Sequence, residues 1–196
     1  MEAERRTRLS PENRRAQLVA LGVAALVEHP LETVTIAYLS REAKVSRGLL
    51  FYYFESTQGL HRELVRTARD SMLRATEPLP DLPPRERLHD TLTRIVQFVR
   101  DHRGTFYSLV RGAASGDREV REVVEQARGL HAERVIAVFR ELGVVDSELL
   151  RIALHSWVAF AEEALVESAL NTEMPSEEIV AFLERSVKAV ADSVDA

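Results

Sequence analysis

The densest group of side chains able to recognise a partner lies in the stretch KVSRGLLFYYFE, from Lys44 to Glu55. Its arginine carries five N–H donors in a planar fork, and its serine and two tyrosines carry hydroxyl groups that donate and accept hydrogen bonds. Six consecutive residues, Leu49 to Phe54, are apolar or aromatic in a chain that is otherwise rich in charge. The chemistry that this stretch offers is hydrogen bonding and apolar contact.

Catalytic motifs do not appear elsewhere in the sequence. No glycine-rich phosphate loop, HExxH or GxSxG segment occurs. A di-iron helical bundle needs two Glu-x-x-His motifs, and only Glu86 to His89 fits that spacing. The chain has no cysteine, which excludes disulfides, thiolate metal sites and cysteine nucleophiles. We therefore expect a protein that is not an enzyme and that needs neither a metal nor a cofactor.

The composition is that of an ordinary soluble globular protein, with 196 residues of which 45% are apolar and 29% charged. No segment reaches about 18 uninterrupted apolar residues, and the first fifteen lack the apolar run of a secretory signal. These features predict a cytoplasmic protein with no membrane partner.

The charge is unevenly placed along the chain. Residues 1–70 hold eleven Lys or Arg against nine Asp or Glu, whereas residues 71–196 hold fifteen against twenty-two. The arginines at the front are Arg5, Arg6, Arg8, Arg14 and Arg15. They predict a basic N-terminal arm, which is either a solvated tail or a contact to phosphates or a minor groove.

Helical periodicity runs through almost the whole sequence, and no alternating strand pattern competes with it. Ser10 before Pro11, Thr35 and Ser46 predict three helix starts, because serine and threonine cap helix N-termini and proline fits the first helical position. A fourth helix is predicted to open at Thr57 and to end at a proline-rich run. Five more helices are predicted at about 84–101, 103–113, 117–142, 146–171 and 176–194. The sequence therefore predicts an all-α fold of about nine helices.

A helix that starts at Ser46 has two different apolar sides. At 100° per residue, Leu50 and Phe54 fall on one side, while Phe51 and Tyr52 fall on the other. A three-helix bundle needs only one apolar side, so the aromatic side must contact something else. The alternative is that Phe51, Tyr52 and Tyr53 pack as core beneath the fourth helix.

The segment TVTIAYLSREAKVSRGLLFYYFESTQGLHREL resembles the helix-turn-helix of the tetracycline-repressor (TetR) family. The similarity spans about residues 10–66 and rests on the run T-I-x-x-L-x-x-x-A-x-V-S-x-G-x-L-F-x-Y-F. Members of that family are all-helical, homodimeric transcriptional repressors that a ligand releases from DNA. The resemblance implies a DNA-binding domain with a basic arm at 1–56, a connecting helix at 57–77, and a ligand-binding and dimerisation domain at 78–196.

The physical properties of these residues agree with binding to double-stranded DNA. Arg47, near the start of the recognition helix, can donate two hydrogen bonds to guanine O6 and N7, and Gly48 allows close approach to the groove. Leu49 and Phe51 offer apolar surface to thymine methyl groups, whereas the hydroxyls reach phosphates. The predicted DNA-binding residues are Thr35, Tyr38, Lys44, Ser46, Arg47, Gly48, Leu49, Phe51, Tyr52, Tyr53 and Thr57.

Three of these residues depart from the pattern of the family. Phe51 replaces a common tyrosine, Lys44 a common glycine in the turn, and Thr57 a common lysine. We expect Lys44 to adopt the left-handed conformation that glycine adopts easily.

The family resemblance also implies an effector cavity and a dimer interface in the second part of the chain. Aromatic and histidine side chains on apolar stripes are the candidate ligand contacts: Phe98, His102, Tyr107, His131, Trp157 and Phe160. Apolar positions on the last two helices are the candidate dimer contacts: Ile152, Ala159, Val166, Leu183, Val187 and Val190. The stripe on the final helix could equally be intrachain core.

Two functions follow as alternatives. The first is a regulator that binds a palindromic operator as a homodimer and is released by a small hydrophobic effector. The second is an all-helical dimer that binds a small molecule or a protein and whose helix-turn-helix is non-functional.

Overall fold

Nine α-helices account for most of the chain that the computed structural model describes, which is residues 10–112 and 116–194, without the side chains of 111 and 112. In order they are α1 (Pro11–Ala25), α2 (Ile36–Ala43), α3 (Arg47–Phe54), α4 (Thr57–Ala75), α5 (Pro84–Asp101), α6 (Arg103–Gly112), α7 (Arg118–Glu141), α8 (Glu148–Leu165) and α9 (Ser176–Asp192). A 3-10 turn, Leu31–Thr33, precedes α2, and a π-helical turn, Val166–Leu170, continues α8. No strand occurs in these ranges, so the predicted all-α fold is confirmed.

Local capping chemistry sets the starts of the first helices. The hydroxyls of Ser10, Thr35 and Ser46 each accept a backbone N–H three residues later, at 3.1–3.2 Å. Such a cap is worth about 0.5–2 kcal/mol relative to alanine. Ser56 caps α4 in the same way, so Thr57 is its first helical residue. These starts are the predicted ones.

The five arginines predicted to form a basic arm fall into two groups. Arg5, Arg6 and Arg8 lie outside the described residues. Arg14 and Arg15 belong to α1, and Arg15 forms an ion pair of 2.9 Å with Glu63 on α4. The last two arginines are therefore part of the folded domain, and the prediction that they belong to an arm is wrong.

The helices enclose two hydrophobic cores. The N-terminal core packs α1 to α4, and its members include Leu18, Leu26, Val34, Leu39, Leu50, Phe54, Leu60 and Leu64. Leu109 of α6 and Val120, Val123 and Val124 of α7 belong to the same core. The C-terminal core packs α5 with α7, α8 and α9. Met72 of α4 packs against both cores, so α4 physically connects them.

A close approach of backbones fixes α6 against the end of α1. A Cβ atom added to Gly104 would lie 1.9 Å from the carbonyl oxygen of Leu26. Only glycine fits there, because a real Cβ is never found so close to another heavy atom. The start of α6 and the end of α1 therefore lie backbone against backbone, which adds to the connection that α4 makes between the two cores.

Three predicted dimer contacts are core residues instead. Val166, Leu183 and Val187 are each at most 2% exposed and belong to the C-terminal core. Their side chains pack within the same chain, so they cannot contact a second copy. The intrachain alternative for the stripe on α9 is correct for Leu183 and Val187. Within the described ranges, no helix is both long and apolar enough to cross a membrane.

Candidate nucleic-acid interface and interior cavity

The turn between α2 and α3 is built around a left-handed lysine. Lys44 has φ 53° and ψ 44°, as the sequence predicted. Its N–H donates to the carbonyl of Arg41 at 3.2 Å, and the hydroxyl of Ser40 donates to the carbonyl of Val45 at 2.7 Å. A second non-glycine residue with positive φ, Glu55 at 63°, ends α3. These bonds fix the direction in which α3 leaves α2.

The two sides of α3 differ sharply in exposure. Leu50 and Phe54 are 0% and 4% exposed and lie in the N-terminal core, whereas Phe51 and Tyr52 are 49% and 75% exposed. Tyr53 is half-buried against that core, with its ring centroid 5.2 Å from that of Tyr52. The alternative in which these aromatic residues are core is therefore wrong for Phe51 and Tyr52 and partly right for Tyr53.

Arg47 and Gly48 lie at the start of α3, on the exposed side of the helix that also carries Phe51 and Tyr52, which is its open side. Both are exposed, and within the described ranges no residue forms a hydrogen bond or ion pair with the Arg47 side chain. A Cβ added to Gly48 would meet nothing closer than the Ser46 hydroxyl oxygen, 3.9 Å away. Glycine inside a helix costs about 0.5–1 kcal/mol relative to alanine. The packing of the free protein therefore gives no reason for a glycine at position 48.

The remaining predicted DNA contacts surround this open side in different environments. Tyr38 is half-buried between the ring of His29, at 5.0 Å, and the guanidinium of Arg41, at 5.5 Å. Thr35 and Thr57 are half-buried at the starts of α2 and α4, and the Thr35 hydroxyl already serves as the helix cap. Leu49 is half-buried, and Lys44 is exposed.

A cavity opens among α4, α5, α6, α7, α8 and α9. Its walls are mostly apolar. Of the six predicted ligand contacts, His131 and Trp157 line it. The indole N–H of Trp157 donates to the Ser186 hydroxyl at 2.9 Å, so that polar atom is already satisfied.

The other four predicted ligand contacts lie outside this cavity. Phe98 is buried beneath the ring of His102, 4.5 Å away, and His102 itself is exposed at the end of α5. Tyr107 is 44% exposed at a surface groove beside the end of α1. Phe160 is 46% exposed on the outer face of α8. Periodicity placed these rings on apolar stripes but did not show which stripes face inward.

The polar residues of the cavity wall on α5 are not among the predicted ligand contacts. Arg87 and Thr91 line the cavity one helical turn apart. Thr91 is 8% exposed and lies on the apolar stripe formed by Leu88, Leu92 and Ile95. A polar residue on an apolar stripe was the criterion that selected His131, so the same criterion applied to α5 would have found Thr91.

Electrostatics in the cavity follow from burial. Burial lowers the pKa of His131 to about 4, so the imidazole is neutral at neutral pH. Burial also raises the pKa of Glu162, whose carboxylate is held by Arg128 at 2.7 Å. Arg134 donates to the carbonyls of Leu73 and Thr76 at the end of α4, at 3.1 and 3.2 Å, and desolvation lowers its pKa.

An exposed apolar face covers the outer side of α8 and α9. The rings of Phe160 and Phe182 lie 5.9 Å apart on this face. Its apolar members are Leu149, Ile152, Ala159, Phe160, Phe182 and Ala189. Two of the predicted dimer contacts, Ile152 and Ala159, belong to it, and Val190 is half-buried. This set is called the outer apolar face below.

No metal site accompanies these features in the described ranges, where no three His, Asp or Glu side chains are placed to share an ion. His89, the histidine of the Glu-x-x-His spacing, lies 3.0 Å from Glu184 on α9.

Comparison with known proteins identifies two matching families. Residues 84–190 match "Tetracyclin repressor-like, C-terminal domain", and residues 18–64 match "Bacterial regulatory proteins, tetR family". The HTH-type transcriptional regulator BetI of Klebsiella pneumoniae (strain 342) is 34% identical over 79 residues, which cover 38% of this chain and 40% of that protein. The uncharacterized HTH-type transcriptional regulator YxbF of Bacillus subtilis (strain 168) is 25% identical over 123 residues, or 59% and 31% of the two chains. The chain thus spans less than half the length of both relatives.

Solved structures share the fold over nearly the whole chain. A tetR-family transcriptional regulator from Streptomyces coelicolor superposes with a TM-score of 0.80 at 23% identity, covering 96% of this chain and 84% of that one. A putative transcriptional regulator from Pseudomonas aeruginosa PAO1 superposes with a TM-score of 0.76 at 20% identity, covering 100% and 98%. At these identities the likeness shows a shared fold.

Proposed function

The chain belongs to the tetR family of transcriptional regulators and carries its DNA-binding domain, and on that premise we propose that it represses transcription by binding a palindromic operator as a homodimer until a small apolar effector releases it. The observation that supports this most is the open side of α3. There, Arg47, Gly48, Phe51 and Tyr52 are exposed on a helix whose opposite side is buried.

The open side of α3 suits the major groove of a duplex. The groove, about 12 Å wide, admits an α-helix, and an arginine can discriminate guanine by about 1–3 kcal/mol. Gly48 lets the helix backbone approach the bases, which explains a glycine that the packing of the free protein does not need. Leu49 would contact the thymine methyl groups. Hydroxyl and ammonium groups around the helix would contact phosphates, and they belong to Thr35, Tyr38, Lys44, Ser46, Tyr52, Tyr53 and Thr57.

A dimer brings two such helices to one operator. Dimers of helix-turn-helix proteins bind half-sites one helical turn, about 34–36 Å, or a multiple apart. The outer apolar face offers the surface for a second copy, because Ile152, Phe160 and Phe182 are 41–56% exposed there. Two copies would place four helices, α8 and α9 of each chain, against one another.

Helix α4 is the proposed link between effector and DNA. Its N-terminal end packs beside α3, while Met72 near its other end lines the cavity. Two arginines hold its C-terminal end: Arg134 bonds the carbonyls of Leu73 and Thr76, and Arg94 bonds those of Ala75 and Glu77, at 2.7–3.2 Å. An effector that shifts the cavity wall would tilt α4 and change the spacing of the two α3 helices. Such coupling is typically about 1–3 kcal/mol.

Selection of DNA from a random-sequence pool tests the proposed function. The purified protein should enrich inverted repeats, and gel-shift titration should then show preferential binding of the enriched duplex. Tyr53→Phe is expected to weaken binding to every sequence, since it removes a phosphate contact. No enrichment, together with equal affinity for all duplexes, would favour an interaction module with a non-functional helix-turn-helix.

Light scattering tests the proposed dimer. Ile152→Glu places a charge on the outer apolar face and should give a monomer with much weaker operator binding. Leu79→Glu is the matched control, since Leu79 is 46% exposed in the proline-rich loop between α4 and α5 and is not a member of that face. A monomeric wild-type protein, or a dimer that survives Ile152→Glu but not Leu79→Glu, would contradict the interface.

A further inference from the structure

Three buried polar atoms in the described part of the chain have no hydrogen-bond partner, and all belong to residues that line the cavity. They are Arg87 Nε, Thr91 Oγ1 and His131 Nε2. An unsatisfied buried polar atom costs about 1–3 kcal/mol, and folded proteins satisfy most such atoms. Three of them on one cavity indicate that the missing partner is a bound molecule.

The atoms on α5 determine which way the hydrogen bonds run. Arg87 Nε–H can only donate. The same guanidinium donates through Nη2 to Glu141, and Nε is the N–H that is left without a partner. Thr91 lies one turn further along α5 on the same wall, and its hydroxyl can donate as well. The molecule must therefore present a hydrogen-bond acceptor to this end of the cavity.

The charge of the wall indicates that this acceptor is an anion. Arg134 also lines the cavity, yet its guanidinium is held by neutral carbonyl oxygens. Within the described ranges, no carboxylate lies at ion-pair distance from it, and Glu77, whose charge raises the pKa of Arg134, is exposed. The carboxylate on the wall, Glu162, is already neutralised by Arg128. The wall therefore has an excess of positive charge, and arginine binds carboxylates strongly when both are shielded from water.

His131 marks the other end of the cavity. The α7 residues that line the cavity run from His131 to Val138, seven residues or about 10 Å along the helix, and the Val138 end lies towards Glu141, the partner of Arg87. Burial keeps the imidazole neutral, so Nε2 suits an uncharged polar group rather than a second anion. The wall between the two ends is apolar and includes Ile95, Val135 and Leu165.

From these atoms we propose that the effector is an elongated apolar carboxylic acid with an uncharged polar group, such as a hydroxyl, at its far end. Its carboxylate binds Arg87 Nε and Thr91 Oγ1, and its hydroxyl binds His131 Nε2. That this ligand is an effector rests on the proposed function, whereas the class of ligand rests on the cavity.

Calorimetric titration of the intact protein with matched eight-carbon probes tests the ligand class. 8-Hydroxyoctanoate is expected to bind most tightly, octanoate about tenfold more weakly, and 1-octanol and octylammonium at least a hundredfold more weakly. His131→Leu should remove the advantage of 8-hydroxyoctanoate over octanoate. Equal binding of the acid, alcohol and amine, tighter binding of the amine, or no binding of any probe would overturn the proposal.

Two buried threonines separate a ligand-binding role from a structural one. Thr91→Val removes a hydroxyl that bonds nothing in the protein, so we expect an unchanged or higher Tm but at least fivefold weaker binding of octanoate. Thr76→Val removes a hydroxyl that donates to the Met72 carbonyl at 2.8 Å, and it should lower the Tm. A drop in Tm for Thr91→Val as large as that for Thr76→Val would overturn the assignment.

DNA release distinguishes failure of this inference from failure of the proposed function. If octylammonium or 1-octanol releases the operator and octanoate does not bind, the ligand class is wrong and the regulated repressor stands. If 8-hydroxyoctanoate binds through Arg87 and Thr91 but operator affinity is unchanged, the ligand class stands and effector release is wrong.

Discussion

The open side of α3 and the interior cavity both present polar groups without a protein partner, but the cost of doing so differs. Arg47 and Tyr52 are exposed, so water satisfies them in the free protein. The unpaired atoms of Arg87 and Thr91 are shielded from water, where each costs about 1–3 kcal/mol. An unpaired group on the surface is therefore weak support for a partner, whereas an unpaired buried group is strong support.

The comparison also separates the kinds of partner. The surface groups are spread along the exposed side of α3, which suits a large partner such as a duplex. The buried groups lie at the ends of a narrow apolar cavity, which suits a small molecule. Helix α4 contacts α3 and lines the cavity through Met72, which is why we propose it as the link between the two regions.

The largest expected effect is at Arg47. Arg47→Ala should reduce affinity for the selected operator by about 10- to 100-fold, since a bidentate arginine–guanine contact is worth about 1–3 kcal/mol. Affinity for random duplex should change much less. Arg140→Ala is the control, because Arg140 lies at the far end of α7 and its side chain is 60% exposed. Equal losses for both variants would mean that Arg47 contributes only general charge.

The second prediction concerns His131 and pH. The unfolded chain takes up a proton on this histidine near pH 6.5, but burial delays protonation in the folded protein until a pH of about 4. The folded state therefore loses stability as the pH falls from 6.5 towards 4. Between pH 7 and pH 5 the loss should be about 2 kcal/mol. Urea unfolding at both pH values measures it.

His131→Leu should remove this part of the pH dependence. His61, whose pKa burial lowers, and Glu162, whose pKa burial raises, are present in both proteins, so the difference between them isolates His131. Identical pH dependence in wild type and variant would show that the imidazole is not enclosed as the structure has it.

The smallest expected effect is on stability, at Gly48. Gly48→Ala should raise the free energy of unfolding by about 0.5–1 kcal/mol, because the site has room for a Cβ and alanine favours helix. The same change should weaken operator binding, since the new methyl group separates α3 from the groove. Gly59→Ala is the contrast, because its Cβ would lie 2.0 Å from the Phe54 carbonyl oxygen and must destabilise the fold. Unchanged operator binding by Gly48→Ala would argue against close approach.

How far the sequence predicts the structure depends on the range of the interactions. The caps at Ser10, Thr35 and Ser46 act over three residues, so the sequence states them directly. The left-handed Lys44 was expected from the family resemblance, because glycine is common at that position of the turn. Helical periodicity, which is local, predicted both sides of α3 correctly.

Interactions across helices were not predictable in this way. The periodicity of α9 identified an apolar stripe but not its partner, and Leu183 and Val187 turned out to pack within the chain. The cavity draws its wall from helices that are distant in sequence, so only His131 and Trp157 of the six predicted contacts line it. Arg87 became informative once its unpaired Nε could be seen beside the cavity.

Photo-cross-linking tests the central proposal most directly, namely that the open side of α3 lies against DNA. A benzophenone side chain is introduced at Tyr52 in one protein and at Phe160 in another, and each is irradiated with operator duplex. We predict that the first cross-links to DNA and the second to another copy of the chain. Cross-linking to DNA from position 160, with none from position 52, would contradict the proposal.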